Sequence, residues 1–145
     1  MNSSKVLKLM KDKEIEFLDL RFTDPRGKLQ HLTMDATIVD DEMLNDGVFF
    51  DGSSIAGWKA INESDMILKP DLDRPIIDPF NSHTTLNIFC DILDAVKKDP
   101  YERDPRGVAK KAEEYLKASG IGDKAFFGPE PVSYTHLTLP TKRIV

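Results

Sequence analysis

The sequence of 145 residues has a single cysteine, Cys90, so no disulfide can form within the chain. It falls at an apolar position of an expected strand, where a buried, inert thiol is the reading. Histidine is scarce too: His31, His83 and His136 are scattered, and no pair has the spacing of a zinc or other metal motif. Each is expected at a surface or strand edge. No stretch reaches the roughly 18 consecutive apolar residues needed to cross a bilayer. The start, MNSSKVLKLMKDKEIEF, lacks the long apolar run and small-residue cleavage site of a secretory signal. A cytoplasmic protein is the expectation. Basic charge is also in deficit, with 20 Lys and Arg against 25 Asp and Glu, a net charge of -5. That balance argues against general nucleic-acid binding, which needs a basic face. Lys97, Lys98, Lys110 and Lys111 do cluster, but acidic residues are mixed among them, as on a solvated helix face.

What remains is ordinary for a globular protein: 40% hydrophobic and 31% charged residues, with no repeats and no low-complexity segment. The length allows one domain, or one domain and part of another.

Local signals divide the chain well. Ser3 or Ser4 is expected to cap a short helix whose apolar stripe is Val6, Leu7, Leu9 and Met10. Glu14 to Phe22 reads as a strand, and Asp24-Pro25-Arg26-Gly27 as the turn of a hairpin. Proline presets φ at the second turn position and glycine accepts a positive φ. The return strand runs from Lys28 to Met34. Asp40-Asp41-Glu42 places negative charge at a helix start, and Gly47 stops that helix. Val48-Phe49-Phe50 enters a strand and is followed by the loop Asp51 to Trp58. Short strands are expected at Met66 to Leu68 and at Ile76-Ile77. Thr84 to Asp94 alternates, with Leu86, Ile88, Cys90 and Ile92 on one face and Phe89 out of pattern. The polar stretch 97–103 reads as a linker. Asp104 caps a last helix with Pro105 in its first turn, a buried stripe of Val108, Ala112, Tyr115 and Leu116, and Gly120 as its end. Ala125-Phe126-Phe127 enters a further strand. This order gives an α+β fold, with the domain boundary near residue 100.

Three runs resemble one family. Phe50 to Asp71, FDGSSIAGWKAINESDMILKPD, is similar to the N-terminal signature of glutamine synthetases of the bacterial type I class. Asp104-Pro105-Arg106-Gly107 resembles the opening of their catalytic domain, and Phe127-Gly128-Pro129-Glu130-Pro131 its first strand. A lone GSS would match by chance, but three runs in the same order at similar spacing do not. The resemblance implies a β-grasp N-terminal domain at residues 1–102 and the start of a truncated catalytic domain at 103–131. Residues 132–145, VSYTHLTLPTKRIV, share nothing with the family and are expected to be foreign. The part after about residue 103 is expected to pack poorly.

The resemblance further implies a reaction. ATP phosphorylates the side-chain carboxylate of glutamate, and ammonia attacks the γ-glutamyl phosphate to give glutamine, with Mg²⁺ or Mn²⁺ offsetting the phosphate charge. It implies a ring-shaped homo-oligomer, a dodecamer in the family, in which one subunit's N-terminal domain reaches into its neighbour's active site. By position, Asp51 would then help bind ammonium and take up its proton, with Ser54 beside it. As a residue alone, a loop aspartate more often caps its own amides, and the resemblance reverses that weighting. Trp58 is expected at the interface, loop packing within its own domain being the alternative. Glu130 matches a metal ligand, but Val132 stands where the family has a second Glu. By the resemblance, the ATP site, most metal ligands and the glutamate-binding residues belong to a part not present here, so the chain alone is expected to be inactive. The other reading is a non-catalytic β-grasp interaction module that docks onto full-length subunits; the run Asp104 to Pro131, useless to such a module, discriminates against it.

Overall fold

A computed structural model of the chain describes residues 1–58 and 64–128. The first helix, α1 (Ser3–Asp12), is capped by Asn2, whose side chain accepts from the Lys5 amide, one residue earlier than the expected serine cap. Ser3 is instead turned inward, its hydroxyl donating to Asp41. Strand β1 (Phe17–Thr23) and β2 (Leu29–Asp35) form the expected antiparallel hairpin. Asp24 organises its turn: one carboxylate oxygen accepts from the amides of Arg26 and Lys28, the other from Gln30, and Gly27 takes the positive φ of 81°. Helix α2 (Asp41–Asp46) runs from its cap Asp40 to Gly47. It leads into β3 (Val48–Asp51), then β4 (Asp65–Pro70), β5 (Ile76–Ile77), β6 (Thr85–Asp94) and α3 (Pro105–Ser119).

The strands make one mixed sheet in the order β2-β1-β6-β4-β3, with β5 also paired to β6. The central pair β1 and β6 is parallel; the other pairs are antiparallel. Alternation sends Leu18, Leu20 and Phe22 of β1, and Leu86, Ile88, Cys90 and Ile92 of β6, to the same side. There they close on Val6 and Met10 of α1, Leu44 of α2, and Met66 and Leu68 of β4, a continuous apolar core. This is the β-grasp arrangement that the resemblance implied, a mixed sheet with helices packed against one face. Cys90 is buried in that core, and burial pushes its thiol far above the usual range, which keeps it inert. No helix of the described residues is long and apolar enough to cross a membrane.

The outer face of β1 carries a buried carboxylate, Asp19, only 4% exposed. It accepts from the Thr33 hydroxyl (2.6 Å), Arg21 Nε (2.8 Å) and His31 Nδ1 (2.9 Å). Burial pushes its pKa up, but the three donors together outweigh it and hold the carboxyl below its ordinary value. The native state therefore favours the anion. That contribution is present above the unfolded pKa, near about 4, and is lost as pH falls through the lower native value. Accordingly, denaturation midpoints of the wild type should fall more between about pH 5 and pH 2 than those of Asp19→Asn. Equal acid sensitivity of the two would remove Asp19 from the account.

Three expectations are corrected. The stretch 97–103 is no loose linker: Tyr101 N–H donates to Ile92 O and the Asp94 amide to Asp99 O, folding it back on β6. Helix α3 is placed and capped as expected, with Asp104 accepting from the Arg106 and Gly107 amides and Gly120 in the left-handed conformation. Its stripe, however, is not buried. Val108 is exposed and Tyr115 is 76% exposed, because the helix meets the sheet only near its start, through its first turn and the Lys110–Asp91 ion pair. There Arg106 bridges Asp91 and Asp71, and Asp104 accepts from the Ile92 amide. Beyond that turn, no element among the described residues lies against the stripe. For the same reason Ala125-Phe126-Phe127 forms no strand: among the described residues no strand lies beside it, the segment is irregular, and Phe126 and Phe127 are open to solvent.

Candidate functional site

The expected site loop begins at the edge of the sheet. β3 pairs with β4 from Val48 opposite Leu68 to Asp51 opposite Asp65, so the last residue of the strand, Asp51, stands at the sheet's rim. The chain then turns sharply through a single 3-10 turn, Gly52–Ser54. Gly52 is needed there. Its amide donates to Ser64 O at 2.7 Å, and a Cβ on it would lie 2.2 Å from Met66 Sδ and 2.9 Å from Ser64 O. The backbone is thus pressed against β4 at the residue after the carboxylate.

Asp51 caps the turn. Its Oδ1 accepts from the Ser53 amide at 2.8 Å and the Ser53 hydroxyl at 2.6 Å, and its Oδ2 accepts from the Ser54 hydroxyl at 3.1 Å. The hydroxyl of Ser53, then its amide, hold the carboxyl below the usual carboxylate range against an opposing contribution from burial, and Ser54 and Ser64 add lesser support. The side chain is exposed, anionic and fixed. Local capping and availability to a ligand, set against each other in the sequence, coexist: the hydrogen bonds orient the carboxylate without covering it.

The far end of the loop is anchored by Trp58. Its indole is 5% exposed, stacked on Phe22 (centroids 5.6 Å, 28°) and edge-on to Phe50 and Tyr101. Tyr101 O–H donates to Trp58 O at 2.8 Å, and Arg103 donates to Gly57 O at 3.0 Å. Of the two readings open for Trp58, interface and packing within its own domain, its contacts here are those of the second: the ring lies beneath its own loop. The turn's apolar Ile55 packs against the same core. The loop is therefore held at both ends, with Asp51 and Ser54 between them on the solvent side.

Sequence reasoning overlooked Asp65, which the register places directly opposite Asp51 and which is also exposed. Only strand pairing could have revealed it, since the two are 14 positions apart in sequence. His31 and His83 are surface residues as expected, each with Nδ1 at 2.9 Å from a carboxylate, Asp19 and Glu16. Both line a cavity of about 510 Å³ on the outer face of β1 and β2, which includes no residue of the Asp51 loop. Glu130, Val132 and His136 lie outside the described residues. Among the described residues, no group of three or more His, Cys, Asp or Glu side chains is placed to hold a metal ion.

Comparison with known proteins agrees with the fold. The family model described as the glutamine synthetase β-grasp domain matches residues 14–95. Glutamine synthetase of Rhizobium meliloti (strain 1021) is 63% identical over 128 residues, covering 88% of this chain and 27% of the relative. That of Vibrio cholerae is 50% identical over 131 residues, covering 90% of this chain and 28% of the relative. The chain thus spans about a quarter of the length of the curated relatives it matches. Among solved structures, Plasmodium falciparum glutamine synthetase superposes with a TM-score of 0.73 at 26% identity, over 83% of this chain and 23% of that one. Ligand-free GmaS shares the fold, with a TM-score of 0.70 at 21% identity, over 79% of this chain and 26% of that one. With the β-grasp match extending over more than half of its residues, the chain belongs to the glutamine synthetase family.

Proposed function

We propose that this chain supplies the ammonium-facing latch of a glutamine synthetase, and that Asp51 is the residue that carries it. The supporting observation is the exposed carboxylate at the rim of β3, held anionic and in one orientation by Ser53 and Ser54. In the intact enzyme, ATP transfers its γ-phosphoryl group to the side-chain carboxylate of glutamate. Ammonium bound at Asp51 loses a proton to a carboxylate, and the resulting ammonia attacks the γ-glutamyl phosphate; phosphate leaves and glutamine forms. Ammonium has no lone pair to attack with until that proton is removed, so a fixed anion both gathers the cation and favours the transfer. Ser54, whose hydroxyl touches Asp51 Oδ2, lines the same spot.

In this reading the latch enters the active site of a neighbouring identical subunit in a ring-shaped homo-oligomer, a dodecamer, in the cytoplasm. Trp58 serves that interface from below, as the anchor that keeps the loop in shape. Residues 1–102 act as the β-grasp unit and 103–131 open the catalytic part. ATP and Mg²⁺ or Mn²⁺ belong to the intact enzyme. Glu130 is the residue of this chain we assign to the metal, with Val132 in place of a second carboxylate, and no step above runs through it. Turnover is a property of the longer protein, and this chain alone is expected to show none.

The test is Asp51→Asn in a full-length enzyme in which the matched 128 residues of this chain replace those of the Rhizobium meliloti relative. Loss of an acid–base carboxylate should lower kcat/KM for ammonium about a hundredfold, with the KM for ATP near normal. Unchanged ammonium kinetics would take Asp51 out of the mechanism.

A further inference from the structure

The two oxygens of the Asp51 carboxylate are not equivalent. Oδ1 receives two short hydrogen bonds from one residue, the amide and the hydroxyl of Ser53, at 2.8 and 2.6 Å. Oδ2 receives a longer one from the Ser54 hydroxyl, at 3.1 Å, and the Ser64 side chain adds a weaker contact to the carboxylate. A carboxylate oxygen has two lone-pair directions, so Ser53 fills Oδ1. The two serines also differ in depth: Ser53 is half-buried under the turn and Ser54 is exposed. Because both Ser53 donors meet the same oxygen, the carboxylate cannot rotate about its Cβ–Cγ bond without breaking two charge-assisted bonds together.

We propose that Ser53 is a positioning residue that fixes the Asp51 carboxylate and leaves Oδ2, beside Ser54, as the oxygen that receives the cation. This rests on the ammonium-site reading of Asp51 and adds to it a division of labour: Ser53 clamps from beneath, and Ser54 shares the solvent side with the ligand. The proposal sets the expected order of effects. Removing the Ser53 hydroxyl leaves Oδ1 with the Ser53 amide bond, loosens the clamp so that Oδ1 can compete for the cation, and weakens the preference for the ionised form, for which that hydroxyl is the largest cause. Removing the Ser54 hydroxyl leaves the clamp whole.

The experiment compares Ser53→Ala, Ser53→Thr, Ser54→Ala and Asp51→Asn in the same full-length chimera, with the KM values for ammonium, glutamate and ATP and the pH profile of kcat/KM. Ser53→Ala should raise the KM for ammonium about tenfold, the loss of one hydrogen bond to a charged group, with the KM for glutamate and ATP near the parent values. The acid limb of the profile should move to higher pH, because Asp51 then takes up its proton more readily. Ser53→Thr keeps the hydroxyl and should restore both. A loss that falls equally on all three substrates, or that threonine fails to rescue, would mean Ser53 only holds the loop's shape and would overturn the proposal. If Asp51→Asn raises the ammonium KM and Ser53→Ala does not, the clamp is wrong and the site reading stands; if Asp51→Asn itself has no effect, the site reading fails first. In the chain itself, carboxyl ¹³C titration should show the Asp51 pKa rising in Ser53→Ala more than in Ser54→Ala; the reverse order would also overturn the assignment.

Discussion

Trp58→Ala should destabilise the chain by about 3 to 5 kcal/mol, the range for removing a buried large aromatic from a packed core. The indole fills the space between the hairpin, the Asp51 loop and the segment after β6, touching Phe22, Phe50 and Tyr101. None of these is placed to collapse into the hole without drawing its own strand or loop with it, so the cavity should persist. A domain with a typical total stability of about 5 to 15 kcal/mol would lose a third or more of it. Chemical denaturation followed by far-ultraviolet circular dichroism measures this directly. A loss under about 1 kcal/mol would mean that the ring is a surface residue and that the loop is anchored elsewhere. Trp58→Phe should recover much of the difference, since it keeps an aromatic in contact with Phe22.

The second large effect is expected at Gly47, between α2 and β3. Its φ of 92° and ψ of -177° lie in a region that only glycine occupies readily, and an alanine there carries roughly 1 to 3 kcal/mol of backbone strain. The position is also closed in space: a Cβ would sit 2.5 Å from the Leu68 carbonyl oxygen and 2.6 Å from Ile67 Cγ2. The carbonyl belongs to the β4 backbone and cannot step aside as a side-chain tip can. Overpacking of this kind adds about 1 to 3 kcal/mol. Gly47→Ala should therefore lose roughly 2 to 6 kcal/mol, comparable to the loss of the tryptophan, although only one methyl group is added. The damage should appear first where β3 meets β4, as faster amide exchange at Val48 and Phe50. Gly27→Ala makes the contrast: its φ is also positive but nothing lies within 4 Å of the added methyl, so only the strain remains. Equal losses at the two glycines would show that the contact with Leu68 is unimportant.

Signals that lie within a few residues were readable in advance. Asp24 to Gly27, Asp40 with Gly47, and Asp104-Pro105 with Gly120 each contain both the residue that takes the bonds and the residue that takes the unusual backbone angle, so turn and caps are local chemistry. The alternation of β6 was legible because one side of a long central strand faces a core. Depth and partnership were not. The periodicity of α3 says that the helix has an apolar side but not what lies against it, and Val108 and Tyr115 are open. Phe126 and Phe127 have strand-forming character, yet a strand exists only with a partner. Trp58 could be assigned to a loop but not to one side of it. Asp51 was found through its neighbours in sequence, whereas Asp65 became visible only through the register of β3 on β4.

The burial of Trp58 has an optical consequence. It is the chain's one tryptophan, so all indole emission comes from a single place, the underside of the Asp51 loop. Shielded from water and stacked on Phe22, it should emit at shorter wavelength than an exposed indole, with Tyr101 close enough to pass excitation to it. Lifting of the loop, by a variant, a ligand or a docking subunit, should turn that emission to the red. The protein thus carries its own gauge of whether the Asp51 loop is seated, with no label to attach.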